Sequence, residues 1–279
     1  MKKIIILGGS GFIGKSLKEY LKKKKNSKFK VVSYSRSENK NILKIKKLPK
    51  TEFIIYCINN KNIKKSLRYY NHLKKLLEKS TKKIKIMFFS SGAVYGPIFK
   101  KKRFKENQKI NLSKVKSFNG YKKNYAIEKI ILEKKFKEIA NLGFKVSIVR
   151  GFTFYGKYIL KYNYLISQIL RAIQEKKKLK IKNKYTYRSF MHADDMCESL
   201  IKILEKSSTK CPIYNLGSSY ETNLFKLVKF LNKKYGSKIM FDNKINPIDY
   251  YIPSTFKMSK VLNTKKFINL NRGIELLLR

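Results

Sequence analysis

A tyrosine and a lysine four residues apart on one helix, set against hydroxyls at the end of a buried strand, can move a proton. The sequence holds this combination once in a productive order. Ser90 and Ser91 close the apolar run Ile84 to Phe89, and Tyr125-Ala126-Ile127-Glu128-Lys129 follows on a segment whose pattern predicts a helix from about Gly120 to Asn141. The i, i+4 spacing puts Tyr125 and Lys129 on one face. An ordinary tyrosine, with a pKa near 10, is a poor base at neutral pH, so it needs neighbouring positive charge to stabilise phenolate. Spacing alone selects nothing, because with lysine about a fifth of the chain and 19 tyrosines, about four YxxxK matches are expected by chance. Three occur, starting at Tyr20, Tyr70 and Tyr125. Order selects Tyr125: it follows the hydroxyl-bearing strand end, has Glu133 four residues beyond its lysine, and precedes another apolar run, Val146 to Val149, ending at Arg150.

The second chemical feature lies at the start, in MKKIIILGGSGFIG. Ile4 to Leu7 are apolar on both faces, as in the central strand of a parallel sheet covered by helices on each side. Gly8, Gly11 and Gly14 then fall at the turn and in the first residues of an amphipathic helix, with Ser10, Phe12 and Ile13 between them. Glycine there permits a tight turn and close approach of a pyrophosphate, while free N–H groups at the helix start face the phosphates. The run Lys30 to Ser35 reads as the second strand. Where NAD-binding chains usually place an acidic residue for the ribose 2′-hydroxyl, this one has Ser35 followed by Arg36. A small hydroxyl beside a guanidinium suits a 2′-phosphate, so NADP(H) is predicted over NAD(H).

These features need a scaffold of alternating strands and helices. Phe53 to Ile58 reads as a doubly apolar strand, about Lys64 to Lys79 as a helix, and Ser37 to Thr51 as a short polar stretch that could hold a brief strand. In such an open parallel sheet, ligands sit beyond the carboxyl ends of the strands, which is where Ser91 falls. The fold class is therefore α/β, a doubly wound parallel sheet. His72 lies among apolar helix positions without a ligand partner and reads as structural.

Composition bounds the remaining possibilities. With 279 residues and 43% hydrophobic content, the chain can bury a substantial core. The opening apolar run is too short for a secretory leader, and no run approaches the length of a membrane span. Cys57, Cys197 and Cys211 lie far apart, which argues against a disulfide framework or zinc site and fits a reducing cytoplasm. The net charge of +50 would suit nucleic acid. Its lysines, however, are spread in short runs such as Lys100 to Lys102 and Lys176 to Lys178, within a composition rich in Lys, Asn, Ile, Phe and Tyr. That reads as drift on solvated faces, with attraction for anionic substrates as the remaining consequence.

Taken together, GGSGFIG, SSGAVYG, YAIEK, RGFTFYG (Arg150 to Gly156), RSFMHADD (Arg188 to Asp195), YNLGSS (Tyr214 to Ser219), the helix from Thr222 and PSTFKMSKV (Pro253 to Val261) resemble an extended short-chain dehydrogenase/reductase of the NAD-dependent epimerase/dehydratase family. The resemblance covers nearly the whole chain. It implies a Rossmann domain from 1–154 and 188–218, with a smaller substrate-binding lobe from 155–187 and 219–279. It also implies action on a nucleotide-linked sugar and a homodimer formed through the helices from about Lys64 and Gly120. Tyr125 would exchange the proton, Lys129 would hold the nicotinamide ribose and, together with the nicotinamide cation, acidify the phenol, and Ser91 would orient the substrate oxygen. Arg188 would meet the nucleotide diphosphate, and Thr153 stands where many relatives carry Asn at the substrate.

The 4,6-dehydratase branch carries an Asp-Glu pair where this chain has Gly92 and Ala93, so elimination lacks its acid and base. A 4-ketosugar reductase is the leading expectation. A sugar epimerase that retains NAD is the alternative, and a non-catalytic NADP(H)-binding sensor or scaffold is the rival from another class. His192, Asp194 and Asp195 lack further ligand partners and are not read as a metal site.

Overall fold

Strand β1 (Lys2–Leu7) runs through the centre of a six-stranded parallel sheet ordered β10-β5-β4-β3-β1-β2. The chain builds this sheet in sequence as β1, helix α1 (Phe12–Lys23), β2 (Phe29–Tyr34), β3 (Phe53–Tyr56), α2 (Ile63–Glu78), β4 (Lys85–Ser91), α3 (Leu112–Lys116), α4 (Tyr121–Asn141) and β5 (Lys145–Gly151). It continues with β6 (Thr153–Tyr155), α5 (Leu165–Gln174), β7 (Leu179–Ile181), β8 (Thr186–Arg188), β9 (Phe190–His192), α6 (Ala193–Glu205) and the edge strand β10 (Ile213–Leu216). The last elements are β11 (Thr222–Asn223), α7 (Leu224–Tyr235), β12 (Ile239–Phe241), β13 (Asp249–Tyr251), α8 (Phe256–Leu262) and α9 (Leu270–Leu278). This computed structural model describes residues 1–24, 28–36, 40–60, 62–262 and 267–278.

The order turns back at β1, with β2 on one side and β3, β4 and β5 on the other, which is the doubly wound Rossmann arrangement. Ile4, Ile5, Ile6 and Leu7 are all fully buried, because alternate side chains serve the two faces of the sheet. Ile4 and Ile6 join α1, α5, α6, α7 and α8 in one apolar core, while Ile5 and Leu7 join α2 and α4 in the other. Small sheets complete the molecule: β6 with β9, β7 with β12, and β8 between β11 and β13. Their apolar residues, such as Phe154, Ile181 and Ile239, belong to the same core as β1 and α1.

The stretch between β2 and β3 departs from expectation. Ile42–Lys44 form a 3-10 turn, with Asn41 capping it through a hydrogen bond accepted from Leu43 N at 3.1 Å. Such a local side-chain bond offers the backbone an alternative to strand pairing. His72 contacts the carbonyl oxygen of Ile45 at 3.1 Å through Nε2, tying α2 to this turn. Among the described residues no helix is long and apolar enough to cross a membrane.

Candidate active site

The glycine turn is built by crowding at two of its three positions. Gly8 has φ +104°, and a Cβ there would lie 2.8 Å from the carbonyl carbon and oxygen of Cys57, where β1 and β3 leave the sheet side by side. A Cβ on Gly14 would come within 2.5 Å of the carbonyl oxygen of Gly8, so the first turn of α1 sits directly on the loop. Gly11 differs. Its backbone is extended at φ −76° and ψ 172°, and an added Cβ would touch only the Gly8 oxygen at an ordinary 3.5 Å. Nothing in the described protein requires a bare backbone at Gly11, which is what a face kept clear for an approaching phosphate looks like.

Helix α1 begins at Phe12 with no side-chain cap and no acidic residue in its first turn. Its leading N–H groups, those of Phe12, Ile13 and Gly14, carry the partial positive charge of a helix start with no carboxylate to offset it. Ser10 is half-buried in the turn. The end of β2 lies beside this turn, because the Tyr34 carbonyl accepts from Gly8 N at 2.9 Å and Gly9 N at 3.3 Å. Ser35 follows, buried, with no hydrogen-bond partner for its Oγ among the described residues. A buried hydroxyl without a partner is unusual in a folded protein, and a ligand hydroxyl or phosphate would satisfy it. Arg36 is exposed next to it.

The proton-moving groups converge at the carboxyl end of β4. Ser91 is the last residue of that strand and caps the 3-10 turn Gly92–Tyr95, its Oγ accepting from Ala93 N at 3.2 Å. Helix α4 starts after Gly120, which has φ +52°, and carries Tyr125 to the neighbourhood of Ser91, which acts on its phenol. The ring of Tyr125 stacks on Tyr121 with centroids 5.8 Å apart. One turn further, Lys129 is buried, its Nζ 5.5 Å from the Tyr125 ring centroid, 5.3 Å from that of Phe88, and 3.5 Å from the Ile58 carbonyl oxygen that it donates to.

Burial sets the protonation of both groups. It pushes the Tyr125 phenol well above its ordinary value, and the Ser91 hydroxyl pulls partly against that shift. Burial also draws Lys129 below its usual range, opposed chiefly by the carboxylate of Glu128. Lys129 thus lies beside the Tyr125 ring, as the i, i+4 spacing places it.

Arg188 ends β8 already engaged, donating to the carboxylate and carbonyl oxygens of Asp249 at 2.5 and 2.9 Å and to the Tyr187 carbonyl at 2.9 Å. Thr153, half-buried, opens β6 and pairs in register with Phe190. His192 caps α6, its Nδ1 accepting from Asp194 N at 3.2 Å, and Asp195 accepts from Ile268 N at 2.7 Å, so these residues serve the fold. One residue escaped the sequence reading. Tyr251, in β13, sets its hydroxyl against Gly92, where an added Cβ would lie 2.7 Å from it. No motif or periodicity marks it.

Residues 4–217 match the NAD dependent epimerase/dehydratase family. No curated protein matches the sequence. Among solved structures, the chain resembles a dTDP-glucose 4,6-dehydratase from Bacillus anthracis in complex with NAD, at 20% identity and TM-score 0.74, covering 100% of this chain and 96% of that one. It also resembles RMD from Pseudomonas aeruginosa complexed with NADPH, at 18% identity and TM-score 0.79, with 100% and 98% coverage. A UDP-N-acetylglucosamine 4-epimerase from Bacillus cereus shows 16% identity and TM-score 0.76, again with 100% and 98% coverage. Likeness at these identities establishes the shared fold.

Proposed function

The chain belongs to the NAD dependent epimerase/dehydratase family, and from that premise we propose that it reduces the keto group of a nucleotide-linked 4-ketosugar with NADPH. The observation that carries this reading is Tyr125, a phenol held protonated by burial beside Ser91. Reduction of a ketone needs a proton donor at the oxygen, and a phenol with a raised pKa is one without prior activation. Bare Gly92 and Ala93 offer no acid or base for removing water, which speaks against dehydration.

The bound dinucleotide would supply the hydride. The residues that fit it are the turn at Gly8, Ser10, Gly11 and Gly14 with the α1 amides of Phe12 and Ile13 for the pyrophosphate, Ser35 and Arg36 for the adenosine ribose phosphate, and Lys129 for the nicotinamide ribose. In this reading Ser91 donates to the ketone oxygen and fixes its orientation, and Tyr125 delivers the proton to that oxygen. Arg188, tethered by Asp249, presents a partly neutralised charge to the diphosphate, and Thr153 faces the sugar. The lobe from 155–187 and 219–279 would hold the substrate, and the assembly would be a homodimer in the cytoplasm.

The test mixes purified protein with NADPH or NADH and a panel of nucleotide 4-ketosugars, following loss of the reduced nicotinamide absorbance. Consumption of NADPH with one ketosugar is the expected result. Isomerisation of a plain nucleotide hexose without added cofactor, and consumption with none of the panel, would replace the reading with an epimerase. A tenfold tighter dissociation constant for NADH would overturn the assignment to Ser35 and Arg36.

Gly11→Ala separates binding from folding. The added methyl meets only an ordinary contact, so unfolding free energy should change by less than about 0.5 kcal/mol. NADPH affinity, read from nucleotide fluorescence in a chain that has no tryptophan, should fall at least about tenfold, a loss of about 1.4 kcal/mol. Unchanged affinity would remove the phosphate from this turn.

A further inference from the structure

Resting on the reading of Arg188 as the diphosphate contact, we propose that Asp249 is a positioning residue, whose oxygens fix the Arg188 guanidinium so that its remaining donors, on Nε and Nη2, meet a substrate phosphate as a preset fork. Strand pairing brings the two residues together. β13 runs parallel to β8 with Asp249 opposite Thr186 and Tyr251 opposite Arg188. Side chains alternate along a strand, so Asp249, Tyr251 and Arg188 share one face of this small sheet, and Asp249 is the diagonal neighbour of Arg188.

Counting donors shows what is left for a ligand. A guanidinium has five N–H donors and no acceptor. Nη1 of Arg188 donates to the carbonyl oxygens of Tyr187 and Asp249, both at 2.9 Å, and Nη2 donates to the Asp249 carboxylate at 2.5 Å. Among the described residues these are its only hydrogen bonds, so Nε and a second Nη2 hydrogen remain on a group whose plane is already set. A phosphate takes two parallel N–H bonds from such a pair.

Tyr251 places the fork relative to the chemistry. Its ring centroid lies 5.7 Å from the guanidinium carbon, and Phe152 packs on the ring at 4.6 Å. Its hydroxyl stands against Gly92, the residue after Ser91. One phenol thus separates Arg188 from the end of β4, a gap that a sugar ring bonded to a phosphate can span with its keto group at Ser91. Charge alone does not call for this arrangement. The chain carries 67 lysines and arginines against 17 acidic residues, so anions are drawn to it from every side. A carboxylate set on Arg188 weakens that pull at one point, and what it gives in return is direction.

The test combines nucleotide binding, a double-mutant cycle and a spectroscopic arm. Calorimetry with UDP, dTDP, GDP and CDP finds the nucleotide that wild type binds, and Arg188→Lys, which keeps the charge and loses the fork, should weaken it at least about tenfold. Asp249→Ala should weaken it about tenfold, because the guanidinium must then be ordered by the ligand. Asp249→Asn keeps an acceptor in place and should bind within about threefold of wild type. In an Arg188→Lys background, Asp249→Ala should change the dissociation constant by less than about twofold. In ligand-free protein carrying 15N-arginine, the Arg188 Nη signals, identified by their loss in Arg188→Lys, should be separate in wild type and Asp249→Asn and merge in Asp249→Ala as the group turns freely. Asp249→Ala binding as tightly as wild type or tighter, an equal loss in the Arg188→Lys background, or Nη signals indifferent to residue 249 would overturn the proposal alone. Should none of the four nucleotides bind, or Arg188→Lys bind like wild type, the diphosphate reading of Arg188 falls and takes the proposal with it.

Discussion

Glu133→Ala is expected to destabilise the protein by about 3–5 kcal/mol, the usual cost of leaving a buried charge without its partner. Glu133 on α4 accepts from Arg150 Nε at 2.9 Å, from Arg150 Nη2 at 2.7 Å and from Ser90 Oγ at 2.6 Å. Both side chains of the ion pair are 4% exposed. Arg150 also donates to the Tyr95 hydroxyl at 2.9 Å, which in turn donates to Asn215 Oδ1 at 2.8 Å. One network therefore ties α4 to β4, β5 and β10 beneath the site. Arginine does not shed its proton in a protein, so removing the carboxylate strands a full charge in an apolar interior. Replacing both partners, as Glu133→Leu with Arg150→Met, removes the stranded charge and should restore most of the loss. Urea unfolding of the single and double variants checks this, and a double variant no more stable than Glu133→Ala would place the cost elsewhere. Because Ser90 precedes Ser91, the single variant should also lower turnover in whatever fraction remains folded.

What the sequence disclosed and what it withheld follow from the range of the interactions involved. The strand Ile4 to Leu7, the glycine turn and the start of α1 are legible because they fall within the first fourteen residues, and each glycine has a local reason: φ at Gly8, contact with the loop at Gly14, clearance at Gly11. The parallel sheet is legible from the apolar runs that became β3, β4 and β5, each buried on both faces. Ser91, Tyr125 and Lys129 could be selected only through their order along the chain, since lysine and tyrosine are too common here for spacing to mean much. Tyr251 stayed hidden. It belongs to a three-residue strand with no periodicity, and its place against Gly92 exists only once β13 has paired with β8. The cap that Asn41 makes on the Ile42–Lys44 turn was likewise missed, because apolar residues in a short polar stretch suit a strand and a turn equally. The electrostatics were the least legible of all: the pattern put an ammonium beside the phenol, where Lys129 lies, but the burial that raises the phenol's pKa depends on packing drawn from the whole fold.

Tyr125→Phe should reduce kcat for ketosugar reduction by about 10²–10⁴, the range for losing a positioned proton donor, while leaving NADPH affinity within about twofold. The ring is what the neighbours use: Tyr121 stacks on it, and Lys129 lies over its face. Phenylalanine keeps both contacts, so the variant removes one proton and little else. The pH dependence follows from the direction of the shift. Burial raises the phenol above its ordinary 10.0, so the acid form persists through the neutral and mildly alkaline range. Reduction, which uses that acid form, should show no alkaline decline due to Tyr125 below the ordinary phenol range. Oxidation of the corresponding alcohol, which uses the phenolate, should accelerate as pH rises across the same interval. An alkaline limb near neutrality in the reductive direction that vanishes in Tyr125→Phe would mean that the bound ligands reverse the shift imposed by burial. A variant retaining kcat within tenfold of wild type would mean that the proton arrives by another route. The hydroxyl of Tyr251, which stands against Gly92, is then the group to remove next, and the Tyr125→Phe, Tyr251→Phe pair would show whether either phenol can serve alone.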